Sequence, residues 1–445
     1  MSDIQAPDLA VEPEDLVDVI ETPPEEPPVG IIKDTLQTID SYWFGFGSPT
    51  ALGLFRIIIC TLTVISLLMV FLDWDAWFSE RGFVPAWLGA RYIGSRIEVG
   101  FGTDWSLPRI GLINGITDPR ITLIFYLLTV LAGILTALGL WTRVSSILFA
   151  LGIISLHHRN AAILHGGDSV MRLSAMYLAI APSGAACSFD RVIALWKGRV
   201  SSAQVMVSMW PQRLISANVA LLYITTVWLK WGGNTWQDGT ATYYPARLAE
   251  FFRFPEPSAI NDFPMVYYTT YGTLFIEFAL GTLVFFKPLR RYVLLSGVLL
   301  HAHIEYSMNI PLFSYLMVTT YLCFYDGDEV SAWASRVGNR LQKFKVNVCL
   351  PIGLQLKPSA IGFLGAIDPF QFVSFASGTS PNWTATDFEK KPLSVGKALK
   401  TRGVGLWVVG WVPGVWDRIL MSATEPSLQS EVGLQQTEDT SPERQ

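Results

Sequence analysis

The residues best suited to chemistry fall in three short stretches. The first is His157-His158-Arg159-Asn160, followed by His165-Gly166-Gly167-Asp168 and Arg172. Imidazoles beside a carboxylate can move protons, and the arginines can hold an anionic or carbonyl group. Asp168 is also placed to cap a helix, with Arg172 one turn further along the same face. Two readings stand for this stretch: a polar turn with its charges paired, or one wall of a pocket.

The second stretch runs Trp228-Leu229-Lys230-Trp231-Gly232-Gly233-Asn234-Thr235-Trp236-Gln237-Asp238-Gly239. Lys230 ends an apolar run. A lysine held near apolar surface has its ammonium desolvated and becomes a base near neutral pH, whereas one that snorkels keeps its head in water. Asp238-Gly239 is a turn signal in either case. The third stretch is His301-Ala302-His303-Ile304-Glu305, where helical spacing puts His301 and Glu305 on one face and His303 nearly opposite. No HxxxH or HxxEH spacing occurs, so no metal site is predicted.

These groups must be positioned by helices in a bilayer. Of 445 residues, 51% are hydrophobic and only 16% charged, and 16 Trp and 15 Tyr often stand near the ends of apolar runs. That composition is too apolar for an ordinary soluble globule and fits a lipid solvent with aromatic belts. A spanning helix needs roughly 17–25 mainly apolar residues. Leu52–Leu72, Ile121–Leu140 and Val266–Phe286 meet this cleanly, and Leu214–Lys230 is borderline in length. Val144–Leu156, Ser169–Pro182, Tyr292–Glu305 and Leu312–Tyr325 are shorter or more polar and are expected inside the bundle. The fold class is therefore an all-α integral membrane protein, a polytopic bundle of about eight transmembrane helices with a small cytoplasmic C-terminal extension.

With eight spans both termini share one side with Arg143, the 191–213 loop, Lys287, Arg290 and Arg291, which the positive-inside rule makes cytoplasmic. All five histidines and Lys230 then fall toward the opposite face of the plasma membrane. Such convergence of titratable groups from several helices is what a pocket in a membrane bundle requires. The 73–120 loop opens Asp73-Trp74-Asp75-Ala76-Trp77, which suggests an ordered, membrane-hugging cap.

The chain divides into an acidic, Pro-rich tail (1–38) expected to be disordered, a transmembrane domain (39–328), an amphipathic and interfacial region (329–420) and a second disordered tail (421–445). Val330, Trp333, Val337, Leu341, Phe344 and Val348 recur at helical steps, predicting one amphipathic helix on the inner leaflet; Gly403–Leu420, broken by glycines and a proline, reads as interfacial. No cleavable signal peptide is expected. A net charge of −5 and the lack of a basic cluster argue against nucleic-acid binding, and the four cysteines show neither a disulfide framework nor a CxxC site. The bilayer is the expected partner.

The stretches also resemble a known family. His158-Arg159-Asn160, Gly166-Gly167-Asp168, Met171-Arg172-Leu173 and Pro182 are similar to the HRN–GGD–LR–P pattern of the HTTM (horizontally transferred transmembrane) proteins. Lys230-Trp231, Trp236 to Ala241 and Asn309 to Ser314 match two further segments in the same order. The family is distantly similar to the membrane half of the vitamin K-dependent γ-carboxylase, where a lysine at the end of this span deprotonates reduced vitamin K. The resemblance thus implies Lys230 as a base, with His165 and Asp168 catalytic beside it, acting on a reduced quinone, a vitamin K-like molecule or another lipid-soluble substrate. His158, Arg159, Asn160, Arg172, Trp236, Asp238, His301 and Glu305 would bind that substrate. The carboxylase's helper histidine falls near Gly167 or Asp168, where this chain has none, and the lumenal domain that grips the substrate protein has no counterpart, so γ-carboxylation does not transfer. The rival reading is a non-catalytic membrane factor for maturation, immunity or assembly, serving a secreted or membrane peptide. Transport is disfavoured because no internal repeat is visible.

Overall fold

A computed structural model describes residues 31–88, 96–98, 106–108, 111–200, 205–368, 370–393, 395 and 424–426. Most of the acidic tail, the Gly403–Leu420 stretch and nearly all of the C-terminal tail lie outside the described residues. The first compact unit ends at Gly45, and its described part is one helix, α1 (Ile31–Phe44), which starts within the segment expected to be disordered.

The second unit holds helices where hydropathy predicts them. They are α2 (Thr50–Val70), α4 (Pro119–Leu138), α5 (Thr142–Arg159), α6 (Gly166–Ile180), α8 (Trp210–Trp231), α9 (Phe263–Thr282), α10 (Lys287–Ser307) and α11 (Phe313–Thr320), the last extended by a 3-10 turn to Phe324. A short helix α3 (Trp74–Phe78) follows α2, and α7 (Phe189–Trp196) follows α6. Among the described residues, three helices are long and apolar enough to cross a membrane: α2 with its continuation to Phe78, α4 and α8.

Local signals set the ends. Asp118 caps α4, whose first residue is Pro119, a position where the missing N–H costs nothing. Pro211, Pro264 and Pro288 likewise open α8, α9 and α10. Gly139 closes α4 with a φ of 69°, and a Cβ there would stand 2.4 Å from Ser188 Cβ.

α2 lies at the centre against α4, α6 and α11, while α5 joins α4 to α6, and α8 packs on α9 and touches α6 and α11. Leu52, Phe55, Ile59, Tyr126, Ile153, Leu156, Leu178 and Leu316 fill the core. The outside is just as apolar: Leu68, Leu128, Leu148, Phe275 and Leu299 are each more than half exposed. Water would not tolerate so continuous an apolar girdle, and lipid favours it.

After α12 (Gly327–Arg340) the structure corrects the expectation of a purely helical extension. The helical periodicity through Val348 is interrupted, because Val346–Leu350 is a strand, β1. It pairs in parallel with β2 (Val373–Ser377) and antiparallel with β3 (Thr384–Asp387), which carries β4 (Pro392–Leu393). Val346, Val348 and Leu350 alternate inward, as period-two burial demands, and α13 (Pro358–Ile367) supplies the parallel crossover. Phe363 of α13 packs on Trp196 of α7, with ring centroids 5.2 Å apart, which fastens this sheet to the membrane bundle.

Candidate functional site at one end of the bundle

Antiparallel neighbours bring the end of α5, the start of α6 and the ends of α8 and α10 to one end of the bundle. There the structure builds two polar clusters rather than one. In the first, the Lys230 ammonium on the last turn of α8 donates to the Glu277 carboxylate of α9. Glu277 is 7% exposed, and its other oxygen lies 3.4 Å from Thr226 Oγ1. The Lys230 side chain is about a quarter exposed, and its nitrogen stands 4.9 Å from the centre of the Trp236 ring.

The Trp–Asp–Gly segment creates that last contact. A turn of helix at Asn234–Gln237 folds Trp236 back over Lys230, and Asp238 Oδ1 then accepts from Thr240 N at 3.0 Å. Gly239 takes a φ of 78°, and a Cβ there would lie 2.2 Å from Tyr267 Cδ1, so only glycine lets this turn seat on α9. Asp238 is exposed and serves the turn.

Below the pair, Tyr223 Oη lies 2.9 Å from His301 Nε2 and 2.8 Å from Tyr321 Oη. His301 is 3% exposed, its Nδ1 finds no hydrogen-bond partner among the described residues, and Lys230 lies within electrostatic reach of its ring. Glu305 does not join His301: it pairs with Arg253.

The second cluster is centred on Asp168. Its Oδ2 accepts from His165 N at 2.7 Å while His165 Nδ1 accepts from Gly167 N at 3.0 Å, a reciprocal cap for α6. That bond leaves the neutral ring's proton on Nε2, which faces Asp168 Oδ2 at 3.5 Å; His157 Nε2 faces the other oxygen at 3.8 Å. His158 and Arg172 are half-buried beside this cluster. Arg159 and Asn160 turn away to hold the Trp-rich cap: Arg159 bonds Glu80 at 3.0 Å and the Phe78 carbonyl at 3.2 Å, and Asn160 bonds the Trp77 carbonyl at 2.9 Å.

Phe313 stands between the clusters. Its ring centroid is 5.6 Å from that of His301, and its far edge lies 3.4 Å from where a side chain on Gly166 would begin. Lys230 therefore meets Glu277, Trp236 and the field of His301, while Asp168 meets His157 and His165. No three His, Cys, Asp or Glu side chains converge in metal-binding fashion among the described residues.

The HTTM domain model matches residues 91–328, more than half of the chain. The chain belongs to the HTTM family. No curated protein and no solved structure matches it. Its apolar girdle and this family together make it an HTTM membrane protein. The matched region contains both clusters of the site. Glu277, Tyr223 and Tyr321 are the partners that sequence reasoning missed. Glu277 carried a usable signal, being the one acid in the apolar run from Phe263 to Phe286. The tyrosines carried none, since an aromatic in a membrane helix is usually packing.

Proposed function

We propose that this HTTM protein is a membrane enzyme whose Lys230–Glu277 pair withdraws a proton from a weakly acidic, lipid-soluble substrate of the hydroquinone class. The supporting observation is the contact between the lysine ammonium and a nearly buried carboxylate. Together they carry no net charge, so low-dielectric surroundings tolerate them. In the first step a Lys230 N–H bond breaks and a Glu277 O–H bond forms. In the second, the substrate O–H bond breaks, the freed amine takes that proton, and the ammonium neutralises the substrate oxyanion. His165, Asp168, Arg172 and His301 shape the surroundings of that step from the two sides of Phe313.

In this reading the eight helical segments all cross the plasma membrane, both termini are cytoplasmic and the site faces outward. Reporter fusions at Ser331 and Gly233 test the orientation: an outer Ser331 or an inner Gly233 would overturn it. The chemistry is tested with a reduced short-chain naphthoquinone added to the purified protein in nanodiscs, following the absorbance of the bound naphthoxide. Wild type should generate the anion, and Lys230→Arg and Glu277→Gln should not, because a guanidinium keeps its proton and an amide cannot receive one. Anion formation by Lys230→Arg at the wild-type level would sink the lysine base. Full biological function in both variants would instead favour the non-catalytic role in maturing a secreted or membrane peptide.

A further inference from the structure

The segment joining α8 to α9 is built inside out. Between Arg247 and Pro255 every residue is exposed, yet the exposed side chains include Leu248, Phe251, Phe252 and Phe254. Two of its charges, Arg253 and Glu256, are instead engaged by α10. Arg253 pairs with Glu305 and donates to the Glu305 carbonyl at 3.0 Å, and Glu256 lies 3.5 Å from His303 Nε2, both partners standing on the last turns of α10.

The backbone is tied to the same place. Arg253 N donates to the Ser307 carbonyl at 3.2 Å, Asn309 N donates to the Phe251 carbonyl at 2.6 Å, and Tyr306 Oη donates to the Pro255 carbonyl at 3.0 Å. Phe252 and Met308 form a β-bridge, and the Phe254 ring lies 5.6 Å from that of Tyr306. A loop in water would hydrate its backbone and turn its charges outward. Irregular backbone enters lipid only where protein satisfies its polar groups, and residues 306–309 at the end of α10 do so for Phe251, Phe252, Arg253 and Pro255.

We infer that the 247–255 segment is a strap seated in the interfacial layer of the leaflet at the Lys230 end, with Leu248, Phe251, Phe252 and Phe254 in the acyl–headgroup boundary. Continuity selects lipid as the occupant. The helices that this segment joins carry exposed aromatics of the same kind, Trp228 and Trp231 in the last turns of α8 and Tyr268 in the second turn of α9. Arg247, stacked 3.8 Å from the centre of the Tyr243 ring, places a cation at headgroup level. The inference stands whether or not the Lys230–Glu277 pair is catalytic.

The test uses full-length protein in phosphatidylcholine–phosphatidylglycerol vesicles. Nitroxides are attached at Phe252→Cys, Phe254→Cys and, as the solvated control, Glu250→Cys, with Cys187 and Cys349 replaced by Ser. Collisions with a water-soluble nickel chelate should be several-fold rarer at 252 and 254 than at 250, and collisions with oxygen more frequent. Nickel access at 252 equal to that at 250 would overturn the strap, as would protection from both quenchers, which signals a protein partner or second copy. Hydroxyl-radical footprinting of the unmodified protein in the same vesicles avoids any folding defect of the variants. The three phenylalanines should stay protected there, and oxidation at the rate of the free peptide would refute the inference.

Discussion

Arg56 and Lys230 are both cations carried by apolar helices, at opposite ends of the bundle, and they are neutralised in opposite ways. Arg56 is fully buried, and its guanidinium donates to the carbonyls of Ser183, Cys187 and Ala186. Nearby, Asp190 takes Trp141 N at 2.8 Å and Thr142 N at 2.7 Å, closing the α4–α5 turn. Lys230 meets a carboxylate from another helix and keeps part of its side chain accessible. A planar, permanently charged fork spread over backbone oxygens is a fastening. An amine beside a carboxylate can trade a proton, which a fastening cannot do.

The largest expected effect lies at Arg56. Arg56→Met strands three carbonyls at about 1–3 kcal/mol each, so monodisperse protein should be nearly lost after detergent extraction. Wild-type yield and melting temperature would break the comparison at its structural end.

Truncating one member of the other pair should rank next. Lys230→Ala leaves Glu277 in an apolar seam and should cost roughly 3–5 kcal/mol, whereas the double replacement Lys230→Met with Glu277→Leu should be neutral or stabilising. A thermal melt of the single and double variants decides this, and the double variant should make no naphthoxide. A double variant as unstable as the single one would show that the pair holds the fold as Arg56 does.

Gly239→Ala should be intermediate. The left-handed conformation costs about 1–2 kcal/mol before any clash with Tyr267, and the displaced turn carries Trp236 off Lys230. Activity should fall more than yield; an equal fall in both would make the turn purely structural. The smallest effect is expected at Arg253→Gln. That partly exposed pair is worth about 0–1 kcal/mol, so the melting temperature should barely move.

How much of this was legible depends on distance along the chain. The eight helical segments, the Asp168 cap, the Asp238-Gly239 turn and the lysine at the end of α8 are local, set by hydropathy, capping and turn chemistry within a few residues. The strand Val346–Leu350 was misread because Val346 and Val348 also fit a helical repeat, and only pairing with residues 373–377 and 384–387 makes them a sheet. His301 and Glu305 share a helical face in sequence, yet Tyr223 claims one and Arg253 the other, each from another segment.

By itself the sequence determined a membrane bundle, its turns and a set of titratable groups brought to one end, because those follow from short-range periodicity and solvent preference. Only the tertiary structure decided that Lys230 answers to Glu277 and Asp168 to the histidines. The Lys230–Glu277 partners stand 47 residues apart, and nothing within a helix's own period reports which neighbour it will face. Burial then enforces the choice, since a charge between helices must find a partner there or lose its charge.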